Sequence, residues 1–427
     1  GLRLIEATAY VDDTPGETAK ILDFYAGPDN PLPVENVKAT LSDDFKTVTL
    51  SWDAVGETGE NGGYVDASKV TYYIFDAFGS YYDPAIATTD QTKIVLNYSD
   101  FTAQDFVAYQ VTAGIDEMYY SLATNSNIVV IGQPDSTPWH ESFSDACYQQ
   151  MWVIDPASDS SMLTGTMYDN ELQTNADDED AEPEYLNSHD ADNGFFYFMP
   201  MSKDGVYGFY SAKIDVSKAA RPVFEFWYQG KGSLLQALVG KDGSQPESVR
   251  DIDLMQNPTD DWTLCRIDLS EYKTAGYIQV GVRLKAIHND DEHIWSVPLD
   301  NMRVIDLVEN DIRISSMSGK RSVASGESAL LTVALENIGE KDCESVGVEM
   351  FSNGVKAAEK EIGTMATGKV TSLVFAVPAT VLDDRLDVAV EVKAAGDMNA
   401  ANNKAGTVIE HITSIAPKTA KSEAKRS

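Results

Sequence analysis

The chain has 427 residues, with 32 Lys and Arg against 68 Asp and Glu, a formal net charge of −36 and three cysteines. A field of that sign repels phosphate backbones and anionic membrane surfaces, which excludes nucleic acid as a partner. Hydrophobic residues at 43% and aromatics at 10% are too many for a disordered acidic chain, so the charge must sit on folded surfaces. Length predicts about three domains. No apolar run approaches the roughly 18 residues of a membrane span, so direct insertion is not expected. No signal-peptide pattern is visible, and if the protein is exported this is a mature or trimmed form. Cys147, Cys265 and Cys343 are widely spaced with no C-x-x-C pair. That spacing excludes a disulfide framework and a zinc knuckle, and the thiols read as small buried hydrophobes.

An internal repeat organises the first third. LRLIEATAYVDD, followed by DFYAGPDNPLP, matches FVAYQVTAGIDE, followed by NIVVIGQPDSTP, at an offset of about 105 residues. Thr8-Ala9 aligns with Thr112-Ala113, Asp12 with Asp116, and Gly27 with Gly132. Residues 1–33 therefore read as the last two strands of a module, and 34–137 as a complete copy. In that copy Val48, Leu50 and Trp52 alternate, a Gly-rich turn follows at 56–63, and strands are expected at 70–75, 92–96 and 106–113. Short strands separated by frequent turns describe a β-sandwich. The core tryptophan of TLSW, the TYYIF pattern, Leu96 and Tyr109 in YQVTA make this segment resemble a fibronectin type III domain.

From 138 to 308 the strands lengthen. Alternating runs occupy 195–199, 224–228, 234–239, 262–269, 277–286 and 302–305, which predicts a two-sheet jelly roll. ESF near the start, GFYSAKIDVSKAARPVFEFWY, DWTLCRIDLSEYKTAGYIQVGVRL and the closing PLDNMRVID resemble the cleaved-adhesin and MAM-like jelly rolls. Without the animal MAM cysteines, the bacterial cleaved-adhesin branch fits better. The last folded segment, 309–412, has expected strands at 312–316, 329–337, 345–351, 370–377 and 386–392. ALENIG, with Asn337 and Gly339, and DMNAANN, with Asp397, Asn402 and Asn403, resemble the CARDB family, which implies a seven-stranded immunoglobulin-like sandwich. Residues 413–427 carry Lys418, Lys421, Lys425 and Arg426 and read as a flexible tail.

The fold class is therefore all-β: tandem β-sandwiches, fibronectin type III and immunoglobulin-like, flanking a concanavalin-like jelly roll. Half of the net charge falls between Trp139 and Val308, where 30 Asp and Glu face 12 Lys and Arg. The densest run, Asp177–Glu184, continues into NSHDADNG, and clustered carboxylates are hard ligands of the kind Ca²⁺ takes. A solvated acidic loop is the alternative. The jelly-roll resemblance implies a structural Ca²⁺ held by Glu141 of the opening strand and Asp300 of the closing strand, with Asp145 nearby.

A second chemistry comes from strand alternation. Phe224, Phe226 and Tyr228 share one face of their strand, which leaves Glu225 and Trp227 on the other. Ile278, Val280, Val282 and Leu284 likewise leave Gln279, Arg283 and Lys285 outside. A tryptophan beside hydrogen-bonding side chains on an open sheet can stack a sugar ring, which makes Trp227, Glu225, Gln279, Arg283 and Lys285 a carbohydrate candidate. Packing of Trp227 against a neighbouring domain is the alternative. His288 and His293 flank an acidic loop that could bind a metal or lie solvated. No G-x-S-x-G, H-E-x-x-H or Cys–His signature points to catalysis, so no catalytic residue is assigned and the chain is read as a non-enzyme.

Taken together, these features and resemblances read as a secreted or cell-surface adhesion protein of Bacteroidetes type, exported and associated with the outer membrane. It would be a monomer whose jelly roll binds a host or cell-surface glycan or protein while the sandwiches act as spacers. The alternative is a set of ancillary domains of a larger secreted protease or glycoside hydrolase.

Overall fold

The computed structural model describes residues 2–25, 27–80, 82–100, 103–144, 152–158, 166–167, 172–173, 184–185, 187–192, 194–198, 204–287, 297–324, 327–377 and 385–412. Asp145, Cys147, the run 177–183, the histidines 288 and 293 and the tail 413–427 lie outside them. Among the described residues the regular structure is strand, broken by short 3-10 turns and containing no α-helix. The chain divides into two compact units, Gly1–Asp135 and Ser136–Ser427.

The first unit opens with an antiparallel hairpin, Leu2–Val11 against Thr14–Tyr25. Its turn residues Asp12 and Asp13 both have positive φ, 50° and 64°. The repeat shows the same backbone signature at Asp116 and Glu117, with φ of 52° and 53°. Two successive positive-φ residues match the twist of the flanking strands, and Asp is among the few side chains that tolerate the region. The complete sandwich follows. A three-stranded sheet of Lys38–Leu41, Thr47–Ser51 and Lys93–Asn97 faces a second sheet centred on Thr71–Asp76 and Tyr109–Ile115. Val48, Leu50, Trp52, Tyr72, Ile74, Tyr109 and Val111 fill the space between them. The loop between hairpin and sandwich is tied down at Asp29, which is 1% exposed. Its carboxylate accepts from the backbone N–H groups of Asn30, Asn61 and Gly63 and from Asn61 Nδ2.

The second unit holds two sandwiches. In the jelly roll, Pro222–Gly230 is flanked by Thr259–Asp268 and Val297–Asp306 in a six-stranded sheet. Ile278–Ala286 is flanked by Ser233–Lys241 and Val206–Ser211 in a seven-stranded sheet. Phe196, Phe209, Phe224, Phe226, Leu235, Val280, Val282, Leu284, Leu299 and Val304 form the core between the sheets. The C-terminal sandwich pairs a three-stranded sheet (Ile312–Gly319, Ala329–Asn337, Val370–Val377) with a five-stranded one.

That makes eight strands where the CARDB resemblance implied seven. The extra one, Ser322–Ala324, arises because the first strand changes sheets at Gly319 and then pairs in parallel with Lys404–Ile412. A side chain at Gly319 would meet the Leu330 carbonyl at 2.4 Å, so only glycine fits the crossing. Its loops close on Asp311, which accepts from Asn399 Nδ2 and Asn402 Nδ2, and on Asp397, which accepts from Ile312 N and Asn403 Nδ2.

Candidate functional site

The site begins with an irregularity in Val297–Asp306. Regular alternation would point Asp300 into the core with Met302 and Val304, but Asn301 sits at φ 51°. The resulting bulge shifts the pairing by one residue, so Arg303 stands opposite Glu225 and Asp300 opposite Trp227. All four lie on the outer face of the six-stranded sheet, and all four are buried.

What buries them is the C-terminal sandwich. Arg303 donates from Nε to Glu225 Oε1 at 2.7 Å, and from Nη1 and Nη2 to the two oxygens of Glu336 at 3.0 Å each. Arg266 Nε holds the other Glu225 oxygen at 2.6 Å. Arg313 donates to Glu336 at 2.7 Å, to Asp190 Oδ2 at 2.9 Å and to Asn301 Oδ1 at 2.8 Å. Burial pushes the Glu336 carboxyl up, but Arg303 and Arg313 outweigh it and hold the group well below the usual carboxylate range. Trp227 lies under the same roof. The His189 ring stacks on its indole at 3.7 Å, and a side chain at Gly368 would meet the ring at 2.7 Å.

Beside this network Asp190, Asp192 and Asp300 crowd together. Asp300 accepts from the backbone N–H groups of His189 at 2.6 Å and Asn301 at 2.7 Å. Asp190 and Asp192 face each other within hydrogen-bonding reach. Asn301 stands beside Asp190 and Ser142 beside Asp192, yet each carboxylate keeps one buried Oδ1 without a hydrogen-bond partner. Burial and the Asp190 charge push Asp192 up to about 8. Burial likewise raises Asp190, and burial with the charges of Asp190 and Asp192 raises Asp300 well above the ordinary range.

The local balance explains the strain. Five buried or largely buried carboxylates (Asp190, Asp192, Glu225, Asp300, Glu336) meet three guanidiniums, those of Arg266, Arg303 and Arg313. Burial keeps the neighbouring His189 neutral, its value lowered to about 4. The excess negative charge calls for a proton or a cation. Oxygen donors of this type suit a hard cation. Among the described residues no three carboxylates, histidines or thiols converge as a finished metal cage; the cluster offers two vacant oxygens.

The residues singled out by sequence separate into three places. Glu141 stands opposite the core residue Met302 and accepts from Phe143 N. Asp300 is turned by the bulge toward Asp190 and Asp192, and Asp145 lies outside the described residues. Trp227 and Glu225 are beneath the C-terminal sandwich, so the open tryptophan-bearing sheet expected from alternation is a covered one. Gln279, Arg283 and Lys285 belong to the other sheet and do not meet them. Gln279 donates to the Ser211 carbonyl, Arg283 pairs with Asp155, and Lys285 is half-buried. Around them Gln236 stands opposite Arg283 and donates to Asp251 at 2.7 Å. For Asp190 and Asp192 the sequence leaves a cation-binding cluster and a solvated loop both open, and the structure buries Asp190 fully and Asp192 largely. Their signal was Gly194, where a side chain would meet the Phe143 carbonyl and Ser144 Cα at 2.4 Å, so this segment packs tightly on the opening strand.

No curated protein matches the chain. Among solved structures, it is similar to the CARDB domain of a Pyrococcus furiosus protein in complex with di-metal ions, at 17% identity. That match covers 25% of this chain and 96% of the other, with a TM-score of 0.23. A carbohydrate-binding module of the β-sandwich superfamily matches at 13% identity over 65% of this chain and 98% of its own, TM-score 0.25. The fibronectin-type structure FN3tt mut matches at 19% over 23% of this chain and 90% of its own, TM-score 0.16. The sheets described above make the chain a multidomain β-sandwich protein, and its residues 309–408 match the CARDB family model.

Proposed function

We propose that this chain is the non-catalytic binding portion of a secreted or cell-surface protein of cleaved-adhesin type, with the jelly roll as recognition module and the other sandwiches as spacers. The observation that carries the reading is the fused junction. One outer face of the jelly roll is locked onto the C-terminal sandwich by buried ion pairs, which leaves the seven-stranded sheet to meet a ligand. On the outer face of that sheet Arg283, Lys285 and Tyr210 are partly exposed, while Asp155 covers Gly208 and Tyr210 covers Gly281, and such polar side chains suit a glycan or a polar protein loop. The reactive-looking carboxylates, Asp190 and Asp300, are fully buried where no substrate reaches them.

Binding of the full chain to a broad glycan array and to intact cells tests this. Arg283→Gln and Lys285→Ala should each remove a large part of the signal, and no wild-type signal on either surface would refute recognition. Ancillary domains of a secreted hydrolase are the second reading. A catalytic domain encoded in the same polypeptide would favour it over adhesion.

We further propose that the jelly roll takes a structural Ca²⁺. Asp190 and Asp192 would supply their vacant oxygens, with water completing a shell of the usual 6–8 oxygens. The bound cation would relieve the carboxylate repulsion. Calorimetric titration with CaCl₂ should show binding that Asp192→Asn removes, and a shared proton in place of the cation would leave the calorimeter silent.

A further inference from the structure

The acidic loop and the C-terminal sandwich are joined more closely than adjacency requires. Residues 187–192 are not in a sheet. Among their hydrogen bonds, several come from the neighbouring module. Ser315 Oγ donates to the Asp190 carbonyl and Ser316 Oγ to the Ala191 carbonyl, both at 2.8 Å. Arg313 Nη2 reaches Asp190 Oδ2 and Asn301 Oδ1, the latter on the bulge that aims Asp300. The same guanidinium is anchored through Nε on Glu336, whose two oxygens are also held by Arg303. Oδ2 of Asp190 is fixed by Arg313, its Oδ1 is buried without a hydrogen-bond partner, and the side chain lies within reach of Asp192.

We propose that occupancy of the Asp190–Asp192 pair and docking of the C-terminal sandwich are one coupled equilibrium, with Arg313 as the positioning residue that joins them. The inference rests on the cation reading above. Two like charges in a buried loop repel unless something sits between them. Without the cation, relief comes from a shared proton or from moving the loop, and the loop cannot move without releasing Ser315, Ser316 and Arg313. With the cation, the loop is held in the shape those three residues bind. Linkage makes the effect reciprocal: whatever the cation adds to docking, docking adds to cation affinity.

Hydrogen exchange of the full chain, read by mass spectrometry with CaCl₂ or chelator, tests the coupling. Calcium should slow exchange in residues 187–192 and also in 312–316, which are remote in sequence and supply no oxygen to the pair. Arg313→Gln should confine the slowing to 187–192 and weaken calcium binding about tenfold, within the usual range of coupling between sites. Arg313→Lys should restore part of both. If Arg313→Gln fails to fold, the pair Ser315→Ala and Ser316→Ala provides the same test without touching a buried charge. Slowing limited to 187–192 in the wild-type chain would overturn the coupling and leave the cation reading standing. Absence of calorimetric calcium binding would remove the cation reading, and the coupling with it.

Discussion

The two outer faces of the jelly roll use similar side chains to opposite ends. On the six-stranded sheet, Glu225 and Arg303 extend their pairing across a module boundary to Glu336, and the whole chain of charges is dry. On the seven-stranded sheet, Arg283 pairs with Asp155, Gln236 with Asp251 and Gln279 with a neighbouring carbonyl. Every one of those partners belongs to the jelly roll itself. Charged residues at alternate strand positions therefore mark an outer face without saying whether solvent or another domain covers it. The partner's address decides.

The sharpest way to break this contrast is Arg303→Ala. It leaves Glu225 and Glu336 buried without their shared counter-charge, and losing one member of a buried network costs about 3–5 kcal/mol. Urea denaturation of the full chain, followed in this unit, should show that loss. Replacing Glu225, Arg303 and Glu336 together by Met or Leu should cost much less, because no charge is then stranded. Next in size is Trp227→Ala, about 3 kcal/mol for a buried tryptophan removed from between His189 and Gly368. It should destabilise this unit while leaving glycan binding intact, the reverse of what a sugar-stacking tryptophan would do.

Acid gives a smaller effect with a definite sign. Glu336, facing Arg303, Arg313 and His189, is held below its ordinary value of 4.5. As pH falls, the unfolded chain takes up this proton before the folded one does. The stability it contributes is complete above about pH 4.5 and is lost progressively below, toward the folded value. Thermal melts across pH 6 to 2 should show Glu336→Gln, already destabilised at pH 6, converging on the wild type in strong acid. Parallel curves would mean that the carboxylate's charge does not hold the junction.

Strand positions were legible where apolar side chains alternate with polar ones. The runs around Phe224–Tyr228 and Ile278–Leu284 alternate because the hydrophobic core lies on one side and polar side chains on the other, even though both faces are largely buried. Ala329–Asn337 and Val370–Val377 fall within the spans expected for them. Glu247–Asp253 and Val355–Met365 were missed because both are edge strands exposed along nearly all their length. They therefore carry Glu, Lys and Arg where an interior strand carries Val and Ile, a composition that also deters edge-to-edge pairing. The junction was illegible for a different reason. A one-residue bulge at Asn301 reassigns Asp300 to the other face, and no periodicity argument announces a bulge in advance. For Asp190 and Asp192 the acidic sequence around them left a solvated loop and a cation cluster both open, whereas their neighbours in space, Arg313 and Asp300, show that the loop is buried.

The smallest stability change tests the other half of the comparison. Lys285 is half-buried, stands opposite Val206 and Leu234, and lies near Asp251. Lys285→Ala should shift unfolding by no more than about 0.5 kcal/mol, the usual range for a surface side chain. If the seven-stranded sheet is the recognition face, the same change should remove a large part of ligand binding on the array. A variant that keeps its stability and also its binding would move recognition off this sheet. Both faces of the jelly roll would then be structural, one through its own pairs and one through its neighbour's.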